Sequence, residues 1–144
     1  MTTNLHDTDF YAWTQLQVAL LKARRWSAMD IDGLIEEINS MGASERRELI
    51  NRLAVLLGHL LKWQYQPSYR GRSWQLNLKE QRRQLHRLLR DNPSLRAKLT
   101  ELISDAYGDA ILLAAKETGL DEQHFPDSCP YAEQDLLSLE FYPD

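Results

Sequence analysis

The sequence predicts an all-α protein, a compact antiparallel bundle of about five helices followed by a short carboxyl-terminal helix or irregular acidic tail. Three observations predict it. Apolar residues recur at i, i+3, i+4 and i+7 along most of the chain, the period of a helix with one buried face. Val, Ile and Thr are sparse, and no alternating stretch is long enough for a strand. Gly42, Pro67, Asn92-Pro93 and Gly119 fall where successive periodic runs end, leaving short connections that make neighbouring helices antiparallel.

The first helix is expected to begin near Asp9, with Phe10, Trp13, Leu16, Gln17, Leu20 and Leu21 at helical spacing. It should end around Arg24 and Arg25, because cations are favoured at a helix carboxyl end. A second helix is expected over residues 30–41. Ser27 or Asp30 can cap it, Ile31, Leu34, Ile35, Ile38 and Met41 form its apolar stripe, and Gly42 supplies a left-handed stop. A third runs from a Ser44 cap to residue 66, where Pro67 halts it by pushing its predecessor out of the helical region. Ser73 is placed to cap a fourth over residues 74–90, and Ser94 a fifth over residues 95–118, closed by Gly119. Pro130 can open a short last helix reaching residue 139.

At 144 residues, with 43% hydrophobic and 26% charged residues, the chain reads as a single globular domain spanning residues 1–144. The opening MTTNLHDTDF has neither a basic region nor an apolar run of a signal peptide, and the longest apolar stretch, residues 53–61, is too short for a bilayer. A lone cysteine, Cys129, excludes an internal disulfide. A cytoplasmic location without membrane association is the expectation. Charge is segregated: residues 70–98 hold nine Lys/Arg against two acids, whereas residues 117–144 hold eight acids and no Lys or Arg. Either the tail folds back on the basic segment or the two face different partners.

The densest chemistry is HLLKWQYQPSYRGRSW, residues 59–74. At about 100° per residue, Leu49, Leu53, Leu56, Leu57, Leu60 and Leu61 share a core face, while His59, Lys62 and Trp63 fall off it. His59, Lys62, Trp63 and Arg72 are therefore candidates for a pocket or an interaction surface, with His59 as general base or ligand. The structural alternative has Tyr65, Tyr69 and Trp74 wedging two helix ends together with arginines stacked on them. On the fourth helix, Lys79, Arg83, Arg87 and Arg90 make a basic stripe opposite Leu78, Leu85, Leu88 and Leu89. Such a stripe suits phosphates, but it contains no aromatic residue for base stacking. The alternative is a solvated face, or a dock for the acidic tail.

Other chemistry is thin. Glu36 and Glu37 are adjacent on a helix and diverge by about 100°, so they are not a catalytic pair by themselves. His124, Asp127 and Cys129 are too few for a structural zinc site. The sequence carries no metal-binding helix motif, no Gly-rich phosphate loop and no nucleophile signature, so no metal or cofactor is expected.

The landmarks DFYAW, LIEEINSMG, HLLKWQYQP, RSW, NPSL and FPDSCPY, taken in order, resemble the bacterial domain-of-unknown-function family numbered 29. The resemblance extends from Asp9 to Pro143 and implies a small, wholly helical, cytoplasmic bacterial domain. The family has no established activity, so the resemblance transfers no catalytic residues.

Three functional expectations follow. The first is a non-enzymatic module that binds another protein or itself, favoured by the missing catalytic signatures and the segregated charge. The second is nucleic-acid association through Lys79, Arg83, Arg87 and Arg90. The third is a hydrolase or nuclease centred on His59, with Arg72 and with Glu36 or Glu37 brought in by a neighbouring helix.

Overall fold

A computed structural model describes residues 4–144. Six α-helices are formed by Leu5–Thr8 (α1), Phe10–Lys22 (α2), Ile31–Tyr65 (α3), Arg72–Asp91 (α4), Leu99–Thr118 (α5) and Glu133–Leu137 (α6). Short 3₁₀ turns lie between several of them, and the described residues contain no strand, in agreement with the predicted class. No helix among these residues is long and apolar enough to cross a membrane.

Two predicted helices are one. Helices over residues 30–41 and 44–66 were expected to be separated at Gly42, but α3 runs unbroken from Ile31 to Tyr65. Gly42 has no positive φ, and Ser44 lies inside the helix rather than at a cap. A glycine within a helix costs only about 1 kcal/mol relative to alanine, less than the favourable helix on both sides of it supplies. Other ends follow their local chemistry. Asp9 caps α2 by accepting from the Ala12 amide at 3.1 Å, and Asp30 caps α3 by accepting from the Gly33 amide at 3.0 Å.

Helix α2 stops at Lys22, short of the expected arginines. Arg24 takes a left-handed φ of 55°, and the amides of Arg25 and Arg24 close back on the carbonyls of Leu20 and Leu21. These are the paired bonds of a Schellman end. Pro67 does end α3, and Gly119, at φ 76°, ends α5. Ser73 and Ser94 are not caps: α4 begins one residue before Ser73 behind Gly71, and Ser94 sits in a 3₁₀ turn over Pro93–Lys98. The last helix begins at Glu133 instead of near Pro130.

The chain forms two compact units, Met1–Ala43 and Ser44–Asp144. In the first, α2 packs antiparallel on the opening turns of α3. Trp13 Nε1 donates to Asp30 Oδ2 at 2.8 Å, the Asp30 amide donates to Gln17 Oε1 at 2.9 Å, and His6 Nε2 lies 2.6 Å from Glu37 Oε1. Gly33 is the close-approach point, since a Cβ there would lie 2.9 Å from the Trp13 ring.

In the second unit the core is built from the predicted leucine face. Leu49, Leu53, Leu56, Leu57, Leu60 and Leu61 of α3 are wholly buried. They pack with Leu78, Leu85 and Leu89 of α4 and with Leu99, Leu102, Ala106 and Ala110 of α5. The carboxyl-terminal segment completes this core with Phe125 and Leu136.

Candidate functional site

The region around Pro67 divides into three environments. His59 is half-buried on α3, and desolvation holds its imidazole below the ordinary histidine range. The Lys62 charge adds to this depression and Glu117 opposes it. Lys62 Nζ bonds to Glu117 Oε2 at 2.8 Å and lies 4.7 Å from the centre of the Trp74 ring. The ammonium thus ties α3 to α5 beneath an aromatic face. Gln66, Tyr69, Trp74, Glu117 and Thr118 line a cleft of about 390 Å³ beside it.

Trp63 belongs to a different cluster. Arg70 lies over its ring at 5.1 Å, donates to its carbonyl at 2.7 Å, and the Tyr142 ring stands 4.8 Å away. Arg72 is exposed at the start of α4. The expectation that Lys62 and Trp63 lie off the core is corrected, because both are buried. The chain's last residues return over that flank of α3 and bring Tyr142 onto Trp63. The anticipated aromatic wedge is also rearranged. Tyr65 meets Phe125 edge-on at 5.2 Å, Trp74 faces Lys62, and Tyr69 stays exposed.

Glu36 and Glu37 do not reach His59 from a neighbouring helix, because all three residues belong to α3. Glu37 instead pairs with His6 inside the first unit. His6 Nδ1 is also 3.2 Å from Asp7 Oδ1. The bonds to Glu37 and then Asp7 raise the imidazole above its usual range, favouring its cationic form. This ion pair was not anticipated from sequence.

A cleft of about 500 Å³ lies between α5 and the tail and includes Ile103, Tyr107, Ile111, Cys129 and Tyr131. Burial raises the Cys129 thiol, so it is poorly ionised and a weak nucleophile. Burial also pushes Tyr107 up to about 12 and raises Tyr131 further. Both hydroxyls are committed, Tyr107 donating to the Pro126 carbonyl and Tyr131 to Gln64 Oε1, each at 2.7 Å. The same cleft is also lined by Ser104, Asp127, Ser128 and Glu133, so its wall is mixed rather than apolar. Among the described residues, no three His, Cys, Asp or Glu side chains converge as metal ligands.

The basic stripe is laid out as expected. Lys79, Arg83, Arg87 and Arg90 are all exposed on α4. The tail docks beside them, and it is held by carbonyls rather than carboxylates. Arg82 Nε donates to the Leu136 carbonyl at 3.0 Å and Nη2 to that of Asp135 at 3.2 Å, while His86 Nε2 lies 2.6 Å from the Leu137 carbonyl. Two side chains one turn apart thus satisfy the free carbonyls at the end of α6. Arg82 is completely buried, and its role was not legible in the charge pattern.

The family model described as Domain of unknown function DUF29 matches residues 5–142. The chain belongs to the DUF29 family. Family membership agrees with the landmark strings, and its description assigns no function. No curated protein and no solved structure matches this DUF29 chain.

Proposed function

We propose that this DUF29 chain is a non-enzymatic protein-interaction module of the bacterial cytoplasm that self-associates through the apolar face of its first unit. The observation that carries the reading is the exposure of Ile31, Ile35, Ile38 and Met41, each between 51 and 68% accessible. These residues recur along one side of α3, the stripe that periodicity marks as a buried face. The facing α2 exposes Phe10, Leu16 and Leu21 as well, and Trp26 in the connecting turn is 57% exposed. The unit's own interior is small: among its described residues, Trp13, Gln17, Leu20 and Gly33 are the buried ones. A helical pair of this size buries too little apolar surface to be self-sufficient. Contiguous apolar surface of this kind marks an interaction site, and a second copy offers the matching helix pair.

The half-buried Cys129 thiol, raised by burial and so a weak nucleophile, supports the non-enzymatic reading. Sedimentation velocity tests it. The wild-type chain is expected to associate at micromolar concentration, and an Ile35→Glu/Ile38→Glu variant to sediment as a helical monomer. A wild-type monomer at every concentration overturns self-association.

A further inference from the structure

A second surface, independent of the apolar face, lies wholly within the Ser44–Asp144 unit. Arg83, His86, Arg87, Arg90 and Arg96 line a cleft of about 480 Å³ together with Leu139 of the tail. An adjoining cleft of about 390 Å³ shares Arg83 and Arg87 and extends to Lys79. The two make one continuous cationic track from the middle of α4 to the Pro93–Lys98 turn. From Lys79 to Arg90 the helix rises about 16 Å. Two acids touch the track: Glu80 lines its Lys79 end, and Asp91 pairs with Arg90 at 3.3 Å.

The chain carries its own acidic segment beside this track, yet the two do not pair. Arg82 and His86 hold the tail by its carbonyls, and Glu133 is engaged with the Thr100 hydroxyl at 3.0 Å. Among the described residues, no salt bridge joins a carboxylate of residues 117–144 to Lys79, Arg83, Arg87, Arg90 or Arg96. Among the described residues the adjacent acidic peptide therefore forms no salt bridge with these cations, and Arg90 pairs with Asp91 alone, which favours a denser anion. Guanidinium forks match phosphate oxygens bidentately. No Phe, Tyr or Trp side chain lines either cleft, and the one ring present, His86, is held against the Leu137 carbonyl, so the surface offers no broad platform for unstacked bases.

The geometry points to the phosphate backbone of duplex nucleic acid as the ligand of this track, bound without base readout. Five cations, Lys79, Arg83, Arg87, Arg90 and Arg96, carry the contact. Releasing one counterion per phosphate makes log affinity fall with log salt at a slope of about −4.5, a loss of several hundredfold between about 50 and 200 mM.

Fluorescence anisotropy of the full chain with random-sequence duplex DNA and duplex RNA tests the proposal, with single strands, anionic phospholipid vesicles and polyglutamate as competing probes. The expected result is duplex binding with the stated slope and weaker binding to the other three. Arg83→Ala/Arg87→Ala should make the slope shallower by about two and weaken binding at least tenfold, while Arg83→Lys/Arg87→Lys should restore most of it. No duplex binding at low salt overturns the proposal, as does duplex binding unchanged by the alanine pair. Preference for vesicles or polyglutamate over duplex also overturns it. Because the variants lie outside the first unit, their failure leaves the self-association reading untouched.

Discussion

Arg82 Nε donates to the Leu136 carbonyl at 3.0 Å across 54 residues of sequence. Its guanidinium is fully buried between α4 and the tail, with the Phe141 and Tyr142 rings each 6.0 Å away. Desolvation lowers its affinity for its proton, but an arginine remains charged, so the carbonyls must compensate the buried cation. Replacing Arg82 with leucine keeps the apolar stem and leaves the carbonyls of Asp135 and Leu136 without a donor. The expected cost is about 2–4 kcal/mol, localised to the tail. Hydrogen exchange should accelerate over residues 133–143 before it does over α3. Unchanged exchange there, with an unchanged denaturation midpoint, would show that Arg82 does not hold the tail.

What could be read in advance divides by the range of the interaction. The leucine face of α3 and the stops at Pro67 and Gly119 depend on residues within a few turns, and they were legible. The burial of Lys62 and Trp63 depends on Glu117, Trp74 and Tyr142 arriving from elsewhere, which periodicity along one helix does not encode. Arg82 was hidden for the same reason, since its partners are backbone carbonyls and carry no side-chain signature. The Ile31–Met41 stripe shows the converse. Its apolar period was read correctly, but a period does not say whether the covering partner belongs to the same chain.

Removing the Lys62 charge should report on His59. Burial is the larger cause of the lowered His59 pKa and the Lys62 charge the second, so Lys62→Met should raise it without restoring the ordinary value. Glu117→Gln should lower it, because Glu117 acts in the opposite direction. A histidine depressed in the folded state binds fewer protons than the unfolded chain. Its contribution to stability therefore falls as pH drops below about 6.5. NMR titration of the His59 ring in the two variants checks both signs, and shifts in the same direction would contradict the arrangement.

His6 has the opposite linkage. Its pKa is raised by Glu37 first and Asp7 second, so its contribution is fully present below the unfolded value of about 6.5. That contribution is lost as pH rises through the raised folded value. Amide protection factors in α2, in which the base-catalysed intrinsic rate is divided out, should therefore fall over that interval in the wild-type chain. In His6→Phe, which preserves an aromatic beside Trp13, the pH dependence should vanish. A wild-type profile flat from pH 6 to 9 (about the range bracketing histidine) would count against the His6–Glu37 pair as a stabilising contact.

Gly42 separates two accounts of α3 by sign. If a helix ended there in a left-handed residue, alanine would be strained and would destabilise the chain by about 1 kcal/mol. The continuous helix predicts the reverse. Gly42 has no positive φ, and a Cβ built on it meets nothing within 4 Å. Gly42→Ala should then stabilise the helix by about 0.5–1 kcal/mol and increase the helical circular dichroism signal. Gly119→Ala is the internal control, because φ 76° at that position makes alanine unfavourable. Opposite shifts in thermal midpoint for the two variants are expected. A loss of stability at both positions would mean that the chain breaks at Gly42 after all.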